Sequence, residues 1–268
     1  MISPKESALD RKIAASIPRD SPCHALMLAL FADQELHAMQ EHANTVSIRR
    51  LGYNDHGPVH MRLVTYNAIR MLELLRKAGI KTSLETEGAG NYDDSLCAVF
   101  LAAFLHDVGM MIGRDGHEVF ATWLTLPIID RALEKSIPDD LQRRVVIRAT
   151  ALEGIVGHMG TRHIDSLEAG VILVADGCDM TQGRARIPMI LNTTPKIGDI
   201  HKYSANSIKR VGIRAGAEKP ILIDVEMSGE VGFFQIEEVL ISKIDSSPAK
   251  QHVELYAGVT GEPRKRYL

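Results

Sequence analysis

Apolar positions fall at helical spacing through most of the first 195 residues. Leu63, Val64, Ala68, Met71, Leu72 and Leu75 recur at intervals of three and four, and Gly79 follows where a helix would stop. Residues 93–107 are almost wholly apolar, which predicts a helix buried on all sides. A third helix is predicted over 115–135. A fourth begins at Pro138, Asp139 and Asp140, where proline and acids suit a first turn, and it carries Leu141, Val145, Ile147 and Leu152. A fifth is predicted over 165–180, with Leu167, Val171 and Val174 on one face.

The pattern changes after Pro195. Residues 207–214 and 221–227 are short β-branched runs, joined by a segment whose Gly216 and Pro220 suit a hairpin. Residues 233–244 read as an amphipathic helix, and 252–259 as a last strand. The fold class expected is therefore mostly α: a helical bundle over 1–195, and over 196–268 a small α+β appendage ordered strand-strand-helix-strand. The sheet of this appendage leaves an edge to cover. Pairing of two copies as a homodimer is one reading of it, and a regulatory ligand site is the other. The basic tail Arg264, Lys265 and Arg266 reads as a frayed end.

Composition narrows the class. The chain has 268 residues, 45% hydrophobic and 24% charged, with a formal net charge of −3. No basic excess points to general nucleic-acid binding. The longest apolar run, Leu96 to Leu105, is half the roughly 20 residues a bilayer span needs. With no apolar leader and three scattered cysteines, a cytoplasmic protein with no membrane partner is expected. The unusual feature is histidine: eight of the 11 lie between His37 and His163.

Chemistry concentrates in that stretch. His106 and Asp107 close the buried helix, just before Gly109. Polar side chains there are costly to bury unless something satisfies them, and a divalent ion accepts both imidazole and carboxylate. Adjacent helical residues point about 100° apart, so the two can share an ion only where the helix ends. Gly109 would permit that departure. His60 faces the core side of the earlier helix, four residues before Val64, and Asp176 follows Ile172 by four. His117 falls at a helix start and His158 at a helix end. Six inward-capable ligands from five segments are more than a core usually holds, and helical bundles build metal sites this way.

The ordered set His60, His106-Asp107 and Asp176, within the words HMRLV, FLHDVG and ILVADGCD, resembles the HD-domain metal-dependent phosphohydrolase superfamily over about residues 50–185. The resemblance implies that His60, His106, Asp107 and Asp176 hold one divalent ion. It also implies that His117 and His158 complete a second ion, bridged by Asp107. Manganese, iron, nickel, cobalt, zinc and magnesium all remain open. The chain departs from the common HDxGK form at Met110, and Arg114 is the replacement cation expected. It also lacks the GYP-containing signature of the cyclic-di-GMP branch.

The activity implied is hydrolysis of a phosphate monoester or diester, with a small phosphorylated molecule, a nucleotide among those it allows, as substrate. A divalent ion lowers the pKa of bound water to about 7, and two ions about 3.5–4 Å apart can hold both oxygens of a phosphoryl transfer. Asp107 and Arg114 are expected to serve catalysis, with Asp179, three residues past Asp176, as a base or orienting partner. Substrate contacts are expected from His56, Arg114, Arg162, His163, Arg184 and Arg186, arginine being suited to phosphate. The rivals are a di-iron oxygenase on the same ligands, a nucleotide-sensing module without turnover, and a helical adaptor with incidental histidines.

Overall fold

Asn91 starts the helix around which the others are arranged. Its side chain accepts from the backbone N–H groups of Asp93 and Asp94, and Asp94 returns a bond to the Asn91 N–H, closing a capping box. The helix that follows, Tyr92–Leu105, is buried from Asp94 to its end. The computed structural model describes residues 2–182 and 199–268.

Nine α-helices lie within residues 2–177. They are α1 (Pro4–Ser16), α2 (Pro22–Phe31), α3 (Gln34–Thr45, continued by a π-helical stretch Val46–Leu51), α4 (Pro58–Lys77), α5 (Ser83–Glu87), α6 (Tyr92–Leu105), α7 (His117–Ser136), α8 (Leu141–Gly157) and α9 (Leu167–Gly177). A 3-10 turn, Val108–Met111, joins α6 to α7. Helix α6 packs against α4, α8, α9 and α2 at once. The stretch Tyr92–Met111 has the length and apolarity to cross a membrane, but nearly all of it is buried inside the bundle, as a central core helix is. Helix α4 ends where expected, with Gly79 in the left-handed region at φ 75°.

Two expectations fail locally. Leu141 and Val145 face solvent, and the inward face of α8 is instead Ile147, Thr150, Ala151, Gly154 and Ile155. The basic tail is not frayed: Lys265 and Arg266 form a short strand, and backbone bonds also tie Tyr267 and Leu268 to Leu255.

The C-terminal part begins with α10 (Asp199–Ser207) and then forms one sheet. Its strands are β1 (Ile208–Arg214), β2 (Ile221–Met227), β3 (Val253–Val259) and β4 (Lys265–Arg266), in the order β1-β2-β3-β4. β1 and β2 form the expected antiparallel pair. β3 runs parallel to β2 with Ile221 opposite Val253, so the helical residues 230–245 between them, α11, make the crossover. β4 adds antiparallel to β3. This gives the mostly α chain with a small α+β C-terminal part that the sequence predicts. The sheet is not remote from the bundle. α4 touches β1 and β2, α9 touches α11, and one apolar core runs from Ile13 to Ala257.

Candidate metal centre

Helix ends converge on one point. His60 is the third residue of α4, His106 caps the C-terminus of α6, and Asp107 begins the 3-10 turn with φ −97° and ψ 2°. His117 is the first residue of α7, His158 caps the C-terminus of α8, and Asp176 is the penultimate residue of α9. None of the six is more than 7% exposed.

Gly109 matters for a different reason from the one expected. Its φ is not positive; instead a Cβ there would lie 1.9 Å from the His117 carbonyl oxygen. Only glycine lets the start of α7 close onto the turn after Asp107, and that approach brings His117 to the pair.

Three of the histidines are oriented by the same local device. The Nδ1 of His106 bonds the Ala103 carbonyl at 2.9 Å, that of His117 the Arg114 carbonyl at 2.8 Å, and that of His158 the Ile155 carbonyl at 2.6 Å. A carbonyl only accepts, so each Nδ1 carries a proton, and in the neutral ring each Nε2 presents a lone pair. His60 is set by a carboxylate: its Nδ1 lies 2.7 Å from Asp179 Oδ2.

The four Nε2 atoms form two pairs. His60 and His106 stand 3.2 Å apart, and His117 and His158 stand 3.1 Å apart. With neutral rings protonated at Nδ1, these are lone pairs facing lone pairs. Asp107 lies between them. Its Oδ2 is 3.1 Å from His60 Nε2 and 3.3 Å from His106 Nε2, while its Oδ1 is 3.3 Å from His117 Nε2 and 3.4 Å from His158 Nε2. Asp176 Oδ1 joins the first pair, 3.2 Å from His60 Nε2. Asp107 Oδ2 is buried and accepts no hydrogen bond among the described residues.

This donor set fits a divalent cation. Ligands bonded at about 2.1 Å and at tetrahedral to octahedral angles lie about 3.0–3.4 Å from one another, which is the spacing seen here. The groups His60, His106, Asp176 and His106, Asp107, His158 could each hold a metal ion. Burial alone would raise the carboxyl pKa of Asp107, but positive charge on His106 and His56 when protonated, and hydrogen bonds from His106 and His117, more than reverse this, holding it well below the ordinary range. For Asp176, burial is likewise outweighed, here by the ammonium of Lys243 and by His60. Burial also lowers His158 to about 4, so this imidazole stays neutral and able to ligate.

The remaining candidates divide. Asp179 is buried at the His60 Nδ1, an orienting position rather than one among the facing lone pairs. His56 is buried beside His60, ring centroids 5.8 Å apart, with its Nδ1 near the Asn54 carbonyl and Ser47 Oγ. Arg114 is half-buried, its guanidinium 6.0 Å from the centre of the Tyr53 ring and its carbonyl on His117. Arg162 and His163 are not brought to the cluster. Both are exposed in the segment after α8, and His163 pairs at 3.0 Å with equally exposed Asp165. Arg184 and Arg186 lie outside the described residues. Among the described residues, a cation from the C-terminal part touches the cluster: Lys243 of α11 pairs with Asp176 Oδ2 and donates to the His158 carbonyl at 2.8 Å.

A helical bundle with a buried histidine–aspartate centre able to hold metal is thus the class that fold and site define. The chain is 41% identical over 233 residues to the uncharacterized protein MJ1020 of Methanocaldococcus jannaschii, an alignment covering 87% of this chain and 88% of that one. It belongs to the family of that protein. No family model and no solved structure matches it.

Proposed function

We propose that this protein is a divalent-metal-dependent phosphohydrolase of the HD-domain kind, acting on a small phosphate ester such as a nucleotide. One observation carries the reading: the two oxygens of the single carboxylate Asp107 each face a separate pair of imidazole Nε2 atoms. Such an arrangement suits two cations sharing a carboxylate. His60, His106, Asp107 and Asp176 would hold the first, and His117, His158 and Asp107 the second. Metal so held supplies a water of lowered pKa and positive charge for the phosphoryl oxygens.

The chain's own groups do the rest. Asp179 accepts a hydrogen bond from His60 Nδ1–H, which fixes the ring so that its Nε2 is the basic nitrogen aimed into the site. The carbonyls of Ala103, Arg114 and Ile155 do the same for the other three histidines. Burial excludes bulk water, which strengthens charge interactions within the site. His56, beside His60, and Arg114, whose carbonyl bonds His117 Nδ1, would serve as contacts for the phosphate group, Arg114 through its planar donor fork.

The test is metal analysis of the purified chain with an anaerobic phosphate-release screen over nucleotides and cyclic nucleotides. Phosphate release that disappears in Asp107→Ala supports the reading. Iron with oxygen consumption and no phosphate release would replace it with the oxygenase, and bound metal without turnover on any nucleotide would replace it with a sensing module.

A further inference from the structure

Lys243 enters the centre from the C-terminal part of the chain. Its ammonium contacts Asp176 Oδ2 and the His158 carbonyl oxygen, and its side chain is only 12% exposed. The other oxygen of Asp176, Oδ1, faces His60 Nε2 at 3.2 Å. The two oxygens of one carboxylate therefore have different duties. A single ammonium also joins the C-terminal ends of α8 and α9, the helices that carry His158 and Asp176.

The path of this side chain is built into α9. Gly170 and Gly177 lie seven residues apart and so share a helix face. A Cβ at Gly177 would meet Lys243 Cδ at 3.2 Å and Leu240 Cδ1 at 3.3 Å. A Cβ at Gly170 would meet Ser247 Oγ at 2.7 Å and the Ala249 nitrogen at 3.1 Å. Ser247 Oγ donates to the Gly170 carbonyl at 2.9 Å. The bare face of α9 thus lets residues 240–249 lie against it and directs the lysine stem toward Asp176.

Resting on the metal-centre reading above, we infer that Lys243 is a positioning residue that holds Asp176 to one ligating oxygen. Its ammonium keeps Oδ2 engaged, and Oδ1 alone is presented beside His60 and His106. The coordination position that a second carboxylate oxygen would fill stays available to water or a phosphate oxygen.

This role has a signature that packing alone lacks. Lys243→Met removes a positive charge next to the cation position and removes the group that engages Oδ2. Both changes strengthen cation binding. Turnover falls nonetheless, because a two-oxygen Asp176 fills the position the reaction needs. A lysine that only packed would, when lost, weaken metal binding or leave it unchanged.

The test uses the full-length chain stripped with chelator and titrated with Mn2+ by calorimetry. Exchangeable inner-sphere waters are counted by water-proton relaxation. Lys243→Met is expected to bind Mn2+ at least about tenfold more tightly than the wild type, with fewer exchangeable waters. Lys243→Gln, whose amide can still donate to the His158 carbonyl, should move the same way and covers the case in which the methionine variant does not fold. Lys243→Arg keeps charge and donors and should stay near the wild-type affinity. Lys250→Met, which breaks only the exposed 3.0 Å pair with Asp245, should change nothing. Equal or weaker Mn2+ binding by both neutral variants, with the water count unchanged, overturns the inference while leaving the metal centre intact. Failure of the wild type itself to bind Mn2+ overturns the metal-centre reading and this inference with it.

Discussion

Two buried polar clusters hang from the first turns of α4, and they solve burial in opposite ways. His60 and Arg62 are two residues apart and point to opposite sides of the helix. On the Arg62 side, donors meet acceptors. The guanidinium donates to Asp10 at 2.7 Å, Gln40 at 3.3 Å and the Pro58 carbonyl at 3.2 Å, and it lies over the rings of Phe31 and Phe104. Glu6 and His37, which with Glu41 stand close enough to share an ion, have this same guanidinium 3.7 Å from the Glu6 carboxylate. On the His60 side, acceptors meet acceptors. Four lone-pair nitrogens and two carboxylates converge, and among the described residues Lys243 is the cation in ion-pair contact with them. The first cluster carries its own positive charge. The second has a composition that makes sense when a cation is added, since buried charge must be compensated.

The largest effect should come from removing the shared carboxylate. Asp107→Ala is expected to lose both metal retention and turnover, read by metal analysis and phosphate release. In the wild type, Mn2+ at 100 times its Kd should raise stability by about 2.7 kcal/mol for each ion bound, a gain absent in the variant. The opposite pattern is expected across the helix. Arg62→Met leaves Asp10 and Glu6 without their buried partner and should cost about 3–5 kcal/mol in denaturant unfolding. Mn2+ should still bind it with the wild-type stoichiometry.

Acid sharpens the contrast further. His158 falls from 6.5 to about 4 on folding, so the unfolded chain binds the extra proton first and stability is lost as pH drops through that window. The shift corresponds to about 3 kcal/mol for this fully buried group. Asp107 and Asp176, with depressed values, add their losses at lower pH still. Denaturant titrations of chelator-treated protein from pH 7 to 4 should show the decline, and saturating metal at pH 7 should not reproduce it. The smallest effect concerns orientation alone. Asp179→Asn should weaken metal binding by about 10–100-fold without abolishing it.

How much of this was legible in the sequence depended on distance along the chain. His60, His106, Asp107, His117, His158 and Asp176 each sit at a helix terminus, and caps and apolar periodicity mark termini locally. Their convergence followed once helices α4 and α6 to α9 were in place. Lys243 had no such mark. Its partner Asp176 is 67 residues away, and only the approach of α11 to the glycine face of α9 joins them. The strand at Lys265 and Arg266 was hidden for the same reason: nothing in a basic tail favours a strand until β3 offers an edge. Leu141 and Val145 misled because they fall at helical spacing, although the face they mark points to solvent. Arg162 and His163 stand out by residue type alone, and no pattern around them indicates burial.

The most direct test is the metal stoichiometry of the chelator-stripped, full-length protein, measured by titration with Mn2+ and followed by elemental analysis. The account predicts two ions bound per chain in the wild type and none retained by Asp107→Ala. A wild-type chain that takes up no divalent ion, or an Asp107→Ala chain that binds as the wild type does, would contradict it.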